Sequence, residues 1–337
     1  MKKVLQGNEA IAIGAIKAGM KFYAGYPITP ASEIMHYLAK QKDIQFLQTE
    51  DEISAINMVI GSSLGGMKSM TATSGPGFSL MQEGLGFAHK IRVPIVVVDV
   101  QRVGPSTGMP TMTSQGDIMQ SRYGSHGDYF PIVFYPNSVE EYFKYTIEAF
   151  NASEESRTPV ILLSDAFLSR LYETVDIEKI DFKIKSRSFK PLGDEKRHFT
   201  GLLSEGGVAR TRDYKLYRRW IENMKKEIGK VAENYNFFEY MENKDADTLL
   251  ISFGITSRII SPLKEKYSIF RPIRLFPVLE EEIKEAAEKH EKIIVLEMNQ
   301  GQYKKEIERI LRMDVKLINP VGGRISLKEI RGELSGV

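Results

Sequence analysis

Cysteine is absent from this 337-residue sequence. A chain without thiols forms no disulfide bond, offers no nucleophilic cysteine and holds no cysteine-ligated iron–sulfur cluster of its own. The five histidines are scattered without the spacing of metal ligands, and we predict no metal site on this chain. Redox chemistry based on a cluster would therefore need a partner that carries the cluster.

A strong charge of one sign and a long apolar run are also missing. The formal net charge is +2, which argues against a large nucleic-acid-binding surface. The longest strongly apolar run, residues 93–100, contains Pro94 and Asp99 and is too short to cross a bilayer. The first residues include no apolar signal region. We therefore expect a cytoplasmic protein with neither a membrane nor a nucleic acid as partner.

The first half of the sequence alternates helical and strand patterns. Asn8 to Lys17 has apolar residues at helical spacing, whereas residues 22–24 and 69–73 are short apolar runs typical of strands. Residues 95–100 are apolar on both faces, as in a buried strand of a parallel sheet. This alternation predicts a doubly wound α/β domain over residues 1–175.

Charged residues dominate the next segment, residues 176–245, which we predict to be a linker with a helical arm. Residues 190–212 are expected to be extended and loop-like. Residues 213–234 carry an apolar stripe at helical spacing, so this helix either packs on a neighbouring surface or lies amphipathically on its own domain. From residue 246 to 337, β-α-β alternation returns and predicts a second, smaller α/β domain.

The loop from Gly25 to Pro30 is the most informative local feature. Pro27 and Pro30 fix their own φ angles and restrict the residues before them, so the loop is stiff. Stiff loops beyond the carboxyl ends of strands are common ligand sites in α/β proteins. Thr29 is then a candidate binding residue, although Thr29 or Ser32 could instead cap the following helix.

Three acidic residues, Glu50, Asp51 and Glu52, begin the next predicted helix. Acidic side chains at a helix N-terminus are favoured by the helix dipole, which accounts for Glu50 and Asp51. Glu52 differs because Ile53 and Ile56 follow it closely, and burial would raise its pKa. Such a carboxyl group could share a proton with a ring nitrogen of a ligand.

Two further segments follow predicted strands. Ser74-Gly75-Pro76-Gly77 is expected to be a loop whose glycines permit close approach of a ligand, and it lacks the Lys-Ser/Thr of a phosphate-binding loop. Residues 101–108 are expected to form another loop, in which Arg102 could bind a carboxylate through two parallel hydrogen bonds. A surface salt bridge is the alternative for Arg102. All four segments are predicted to meet at one edge of one sheet.

Together these segments resemble the α subunit of the 2-oxoacid:ferredoxin oxidoreductases, which are thiamine-diphosphate enzymes. The resemblance covers most of the chain and is greatest for the 2-oxoglutarate and 2-oxoacid group. The matching motifs are Gly-Asn-Glu-Ala at 7–10, Tyr-Pro-Ile-Thr-Pro at 26–30, Glu-Asp-Glu-Ile-Ser-Ala-Ile-Asn at 50–57, Thr-Ser-Gly-Pro-Gly at 73–77, Arg-Val-Gly-Pro-Ser-Thr-Gly at 102–108 and Val-Leu-Glu-Met-Asn-Gln-Gly-Gln at 295–302.

This resemblance implies a pyrimidine-binding type of thiamine-diphosphate domain followed by a transketolase C-terminal-like domain used for assembly. Glu52 matches the glutamate that binds N1′ of the aminopyrimidine and would be the catalytic residue, with Glu50 kept open as a neighbour. Thr29 and Arg102 match residues that hold the carboxylate of the 2-oxoacid, and Thr107 lies where the substrate's variable end would be. The other implied cofactor-binding residues are Tyr26, Pro27, Gly75 and Pro76.

The resemblance also implies partners. A complete thiamine enzyme has a Gly-Asp-Gly motif for Mg²⁺ and diphosphate, whereas Gly116-Asp117, Gly127-Asp128 and Gly193-Asp194 all lack the third glycine. A β subunit is therefore expected to supply Mg²⁺, the diphosphate site and a [4Fe-4S] cluster. Further γ and δ subunits, coenzyme A and ferredoxin complete the implied set of partners.

The implied reaction is the oxidative decarboxylation of a 2-oxoacid, such as 2-oxoglutarate, to an acyl-CoA with electrons passed to ferredoxin. Two alternatives remain at this point. One is a non-catalytic assembly or regulatory paralogue, and the other is half of a split non-oxidative thiamine-diphosphate enzyme. The implied site residues Glu52, Thr29 and Arg102 are all present, which argues against the first alternative.

Overall fold

A computed structural model describes residues 2–194 and 199–336 of the chain. Helices alternate with strands of two mainly parallel sheets, which confirms the predicted α/β fold class. Part of the segment predicted to be loop-like, residues 195–198, lies outside the described residues. In the described ranges no helix is both long enough and apolar enough to cross a lipid bilayer.

The α-helices vary from one to five turns and follow one another along the described chain. They are α1 (Gly7–Lys17), α2 (Ser32–Leu38), α3 (Glu52–Leu64), α4 (Gly75–Leu80), α5 (Gln82–Lys90), α6 (Ile118–Tyr123), α7 (Val139–Ser156), α8 (Tyr214–Glu233), α9 (Gly254–Ile260), α10 (Glu280–Ala287), α11 (Lys304–Leu311) and α12 (Leu327–Ser335).

The strands are short, as is usual for parallel sheets. They are β1 (Lys3–Gln6), β2 (Phe22–Gly25), β3 (Gln45–Gln48), β4 (Ser69–Thr73), β5 (Val96–Val103), β6 (Met109–Thr113), β7 (Ile132–Phe134), β8 (Val160–Asp165), β9 (Tyr172–Val175), β10 (Ser204–Glu205), β11 (Val208–Ala209), β12 (Phe238–Met241), β13 (Thr248–Ser252), β14 (Ser268–Pro272), β15 (Arg274–Phe276), β16 (Lys292–Leu296) and β17 (Lys316–Ile318).

The larger sheet has the strand order β15-β7-β8-β5-β4-β2-β3. Its strands from β7 to β3 are parallel, so their carboxyl ends lie along one edge. The central strand β5 is buried on both faces: Val96, Val98 and Val100 pack into the core on one face, and Val97 packs into the core on the other. Polar side chains that follow these strands are therefore gathered at a single edge.

The smaller sheet has the order β12-β14-β13-β16-β17, with β12 antiparallel to its neighbour. The chain passes between the two sheets three times, at β12, at β15 and again at β16. Strand β12 lies within the predicted linker but belongs to the smaller sheet, and β15 lies in the predicted second domain but pairs with β7 of the larger sheet. The division at residues 175 and 245 stays a prediction.

Two of the predicted loops were wrong in part. Gly75 to Gly77 form the first turn of α4, because Pro76 occupies an early helical position where its fixed φ is suitable and no amide donor is needed. Strand β5 continues through Arg102 to Val103, because β6 folds back and pairs Arg102 with Thr113. Arg102 therefore lies on a β-hairpin strand, which holds its backbone more firmly than a loop would.

Other elements also differ from the predictions. Residues 269–275 favour a single strand, but the structure has two, because Ile273 leaves the ladder and its N–H donates to the Phe237 carbonyl oxygen at 2.9 Å. Residues 79–88 favour one helix, but the structure interrupts it at Met81, between α4 and α5. Strands β6 and β7 and helices α6 and α12 were not predicted.

Helix α8 contacts α7 of the same chain. Met224 and Ile228 of its predicted apolar stripe are buried in the core of the larger sheet, whereas Tyr214 and Tyr217 are exposed. The second half of α8 therefore lies on its own domain, as one of the two interpretations predicted. The first half presents aromatic side chains to the surface.

Candidate active site

The loop between β2 and α2 is fastened to its surroundings through main-chain carbonyl groups. Arg102 Nη1 donates a hydrogen bond of 2.6 Å to the Thr29 carbonyl oxygen, and Asn8 Nδ2 donates one of 2.8 Å to the Pro30 carbonyl oxygen. The N-cap of α2 is Ala31 and no side chain caps the helix, so a capping role for Thr29 or Ser32 was wrong. The Thr29 side chain is exposed, as are Tyr26 and Pro27.

The three acidic residues at the start of α3 have different surroundings. Asp51 is the N-cap, and its Oδ1 accepts a hydrogen bond of 2.7 Å from the Ser54 amide, which lowers the Asp51 pKa. Glu50 is exposed, whereas Glu52 is only 5% exposed. Burial, assisted by the negative charge of Asp51, raises the pKa of the Glu52 carboxyl, against the opposing effects of a Thr73 hydrogen bond and the Arg102 charge.

Gly77 in the first turn of α4 lies directly against the Glu52 carboxyl group. A Cβ atom at this position would overlap the Glu52 carboxylate and the Thr73 hydroxyl group. Thr73 and Glu52 therefore lie beneath the first turn of α4, at Gly77, where that turn carries no side chain. This close packing keeps the Glu52 carboxyl partly out of water, which is the physical cause of its raised pKa.

Arg102 is surrounded by acidic side chains. Burial lowers the pKa of its guanidinium, and the negative charges of Asp117, Asp99 and Glu52 oppose that effect. Asp99 precedes Arg102 on β5 and is fully buried, and Asp117 lies just before α6. The Nε atom of Arg102 is buried and has no hydrogen-bond partner within the described residues. A donor of this kind is available to an anionic ligand.

A cavity of about 690 Å³ opens between the edge of the larger sheet and the smaller domain. It contains three of the predicted site residues, namely Gly75, Pro76 and Arg102. The predicted residues Thr29, Tyr26, Pro27 and Thr107 do not line it, and Glu52 lies beneath Gly77 instead. The cavity is lined by Gly75, Pro76, Ser79, Arg102, Val103, Gly104, Pro105, Ser106, Ser114, Gly116, Asp117, Gln120, Met298, Asn299, Gln300, Gln302, Val321 and Gly322.

The wall from the smaller domain is attached to the larger one by amide side chains. Gln115 Nε2 donates to the Phe253 carbonyl oxygen at 2.8 Å, and Asn299 Nδ2 donates to the Gln115 carbonyl oxygen at 2.7 Å. Gln302 accepts from the Met119 amide at 2.8 Å. Gln115 was missed by the sequence reasoning, because a lone glutamine carries no local signal. Asn299 and Gln302 were noted only as part of the motif at 295–302, which did not predict their position at the cavity. Asp99 had a signal, since it interrupts an apolar strand.

Two family models match consecutive parts of the chain. Residues 13–237 match the thiamine diphosphate-binding model of pyruvate flavodoxin/ferredoxin oxidoreductase, and residues 246–330 match core domain II of pyruvate:ferredoxin oxidoreductase. The first match alone covers well over half of the chain and contains all of the predicted site residues.

Curated relatives match over nearly their whole lengths. The 2-oxoglutarate synthase subunit KorA of Methanocaldococcus jannaschii is 41% identical, with 96% of each chain covered. The ketoisovalerate oxidoreductase subunit VorB of Methanothermobacter marburgensis is 34% identical, with 98% of each chain covered.

A solved structure of 2-oxoglutarate:ferredoxin oxidoreductase from Magnetococcus marinus superposes with a TM-score of 0.91 at 30% identity. That match covers 99% of this chain and 65% of the longer solved chain. A split-gene transketolase is similar in fold alone, with a TM-score of 0.57 and 11% identity. The resemblance predicted from the motifs is confirmed, and the chain belongs to the pyruvate flavodoxin/ferredoxin oxidoreductase family, as an α subunit of its 2-oxoacid:ferredoxin oxidoreductases.

Proposed function

We propose that this chain is the α subunit of an enzyme that oxidatively decarboxylates a 2-oxoacid to an acyl-CoA and passes the electrons to ferredoxin. The observation that carries the proposal is the buried Glu52 carboxyl group held against Gly77, with Arg102 close by. Relatives named as 2-oxoglutarate synthase subunits, 38–41% identical over 95–96% of this chain, favour 2-oxoglutarate as the first substrate to test.

The surroundings of Glu52 fit the aminopyrimidine half of thiamine diphosphate. A carboxyl group with a raised pKa can donate a proton to a ring nitrogen and take it back, and Glu52 is proposed to do this at N1′. Tyr26, Pro27, Gly75 and Pro76 are the proposed contacts on the flanking segments. When bound, thiamine diphosphate supplies the nucleophilic carbon and the electron sink that decarboxylation of a 2-oxoacid requires.

Arg102 and Thr29 are proposed to hold the carboxylate of the 2-oxoacid. The hydrogen bond from Arg102 Nη1 to the Thr29 carbonyl oxygen fixes one edge of the guanidinium, while Nε has no partner in the part of the chain that the structure describes. A planar guanidinium held in this way can offer two parallel donors to a carboxylate. Thr107 lies on the same hairpin and is proposed to face the variable end of the substrate.

The diphosphate half of the cofactor site is proposed to come from a β subunit. The described residues contain no group of three or more acidic or histidine side chains arranged to hold a metal ion. The chain also has no cysteine for a cluster. We therefore propose that the β subunit carries Mg²⁺ and a [4Fe-4S] cluster, and that γ and δ subunits complete an assembly that uses coenzyme A and ferredoxin in the cytoplasm.

Purification of the native complex tests this proposal. We expect copurifying subunits that contain iron and activity on 2-oxoglutarate with coenzyme A and ferredoxin, measured beside pyruvate, 2-oxobutyrate and 2-oxoisovalerate. Calorimetry on the isolated chain with Mg²⁺ and thiamine diphosphate should show no micromolar binding. Micromolar binding without a partner would contradict the shared site, and an active complex without iron would indicate a non-oxidative thiamine enzyme.

A further inference from the structure

Asp99 occupies a position on β5 that an apolar residue would normally fill. It follows Val97 on the same face of the strand, and its side chain is 0% exposed. Neither carboxylate oxygen of Asp99 accepts a hydrogen bond within the described residues. A buried carboxylate without a donor is strongly destabilising, so this group needs a proton or an opposite charge.

The side chain that can share a proton with Asp99 is a second carboxyl group, that of Asp117, which lies within hydrogen-bonding reach. Its Oδ2 atom is likewise buried without a donor. The Asp117 amide donates to Gln101 Oε1 at 3.0 Å, and Gln302 Nε2 donates to the Gly116 carbonyl oxygen at 2.5 Å. These two bonds fix the backbone that carries Asp117 beside β5, the strand that carries Asp99.

Asp99 is fully buried and Asp117 is half-buried at the cavity wall, so the two adjoining carboxyl groups cannot both be ionised without a large repulsion, and a shared proton removes it. Burial raises the pKa of Asp99 well above its usual range, with the Asp117 charge adding to the effect, and burial raises the pKa of Asp117 to about 6. The other charged group that faces the pair is Arg102, which in turn faces Glu52. One proton on the pair leaves one negative charge beside the guanidinium.

We infer that Asp99 and Asp117 form an acid pair that shares one proton, and that the remaining negative charge orients the Arg102 guanidinium toward the cavity. This inference rests on the proposed role of Arg102 in binding the substrate carboxylate. Asp99 and Asp117 are then positioning residues, because they act on the substrate through Arg102. The proton comes from solvent and stays on the pair, so no further reactant is needed.

The number of negative charges left on the acid pair distinguishes the single variants from the double variant. Asparagine at either position keeps one carboxylate and supplies an amide N–H in place of the shared proton. Asp99→Asn and Asp117→Asn should therefore each preserve a single negative charge and a hydrogen bond between the two side chains. The double variant has no charge and should release Arg102. The two substitutions are thus expected to be strongly non-additive.

The test uses the assembled complex and measures KM and kcat for 2-oxoglutarate. Each single variant should raise KM by no more than about threefold, whereas the double variant should raise it by about a hundredfold, as expected when a buried ion pair loses one partner. Infrared difference spectra against the unsubstituted complex should show, at neutral pH, the loss of one C=O stretch of a protonated carboxyl group in either single variant. Asp43→Asn, at an exposed position, is the matched control that changes neither measurement.

Three results would overturn the inference. They are an unchanged KM in the double variant, a single variant that raises KM as much as the double, and no loss of a protonated-carboxyl C=O stretch in either single variant. The infrared measurement on the single variants remains decisive if the double variant does not fold. Arg102→Lys separates this inference from the proposed function. If Arg102→Lys leaves KM for the substrate unchanged, the proposed carboxylate site is wrong. If Arg102→Lys raises KM while the double acid-pair variant does not, the carboxylate site stands and the acid pair has no role.

Discussion

The two sheets end in buried acidic residues that have very different surroundings. At the carboxyl end of β16 in the smaller sheet, Glu297 is fully buried and accepts three hydrogen bonds, from the Tyr303 amide at 3.0 Å, the Lys304 amide at 2.9 Å and Asn299 Nδ2 at 2.8 Å. Near the carboxyl end of β5 in the larger sheet, Asp99 is fully buried and accepts none within the described residues.

This difference separates polar groups that hold the fold from polar groups that are available to a ligand. Glu297 joins the N-terminus of α11 to the end of β16, and its carboxylate oxygens are already occupied by hydrogen bonds within the fold. Near the edge of the larger sheet, the Ser74 hydroxyl, Arg102 Nε and Asp117 Oδ2 are all buried without partners among the described residues. Buried polar groups normally have partners, so these three are groups that a ligand could satisfy. In the part of the chain that the structure describes, unpartnered hydroxyl groups also occur in the smaller domain, at Tyr240 and Tyr303, and it is the position beside the cavity that distinguishes the first set.

Substitutions of Glu52 and Glu297 should have the largest effects, one on activity and the other on stability. Glu52→Gln should lower the activity of the assembled complex by about 10²–10⁴-fold with little change in stability, because the amide cannot exchange a proton with a ring nitrogen. Glu297→Gln should leave the specific activity of the folded complex intact but lower stability by about 1.5–3 kcal/mol, because three donors lose a charged acceptor. Activity and thermal unfolding are measured on both variants. An unchanged rate for Glu52→Gln alongside an inactive Glu50→Gln would move the catalytic role to Glu50.

Arg102→Lys is expected to have the next largest effect. Lysine retains the positive charge but cannot present the planar pair of donors, nor reach the Thr29 carbonyl oxygen in the same way. The loss in kcat/KM should be roughly 10- to 100-fold, the range expected for hydrogen bonds between charged groups. It should be similar for pyruvate, 2-oxobutyrate, 2-oxoisovalerate and 2-oxoglutarate, because they share the carboxylate. A loss confined to one of these substrates would contradict the assignment.

Two glycine substitutions test how tightly the chain is packed around Glu52. Gly77→Ala inserts a methyl group into the space of the Glu52 carboxylate and the Thr73 hydroxyl, and should destabilise the isolated chain by about 1–3 kcal/mol. Gly229→Ala, in α8, places its Cβ where no atom lies within 4 Å and should stabilise the chain by about 0.5–1 kcal/mol. Chemical denaturation measures both. Equal stability of the two variants would show that Glu52 can move away from Gly77 without cost.

The sequence was sufficient where the signal was local. Glu52 was separated from Glu50 and Asp51 because Ile53 and Ile56 follow it closely, and the structure buries Glu52 alone of the three, together with Ile56 but not Ile53. The start of α4 was predicted to be a loop, although Pro76 is a local signal that favours a first helical turn. The alternation of helix and strand was enough to predict the α/β fold class.

The remaining features depend on pairings between distant segments. Arg102 belongs to a strand only because β6 returns to pair with β5, and Ile273 leaves its strand because Phe237 supplies the acceptor. The contact of Asp117 with Asp99 depends on where Gln101 and Gln302 hold the intervening loop. Periodicity within one segment carries no information about such contacts, so neither the acid pair nor the wall of the cavity could be predicted.

Thr107→Ala should have the smallest effect and one of a different kind. Thr107 is exposed on the hairpin between β5 and β6, and its neighbours Pro105 and Ser106 line the cavity that contains Arg102. If its hydroxyl faces the variable end of the substrate, its loss should change kcat/KM by about two- to tenfold for some 2-oxoacids and not for others, the range expected for one neutral hydrogen bond. Kinetics over the same four substrates would show a reordered ranking, while Thr211→Ala, at another exposed threonine, should leave the ranking unchanged. A uniform fall for Thr107→Ala together with a reordered ranking for Arg102→Lys would reverse the two proposed roles, and would place the shared carboxylate at the tip of the hairpin.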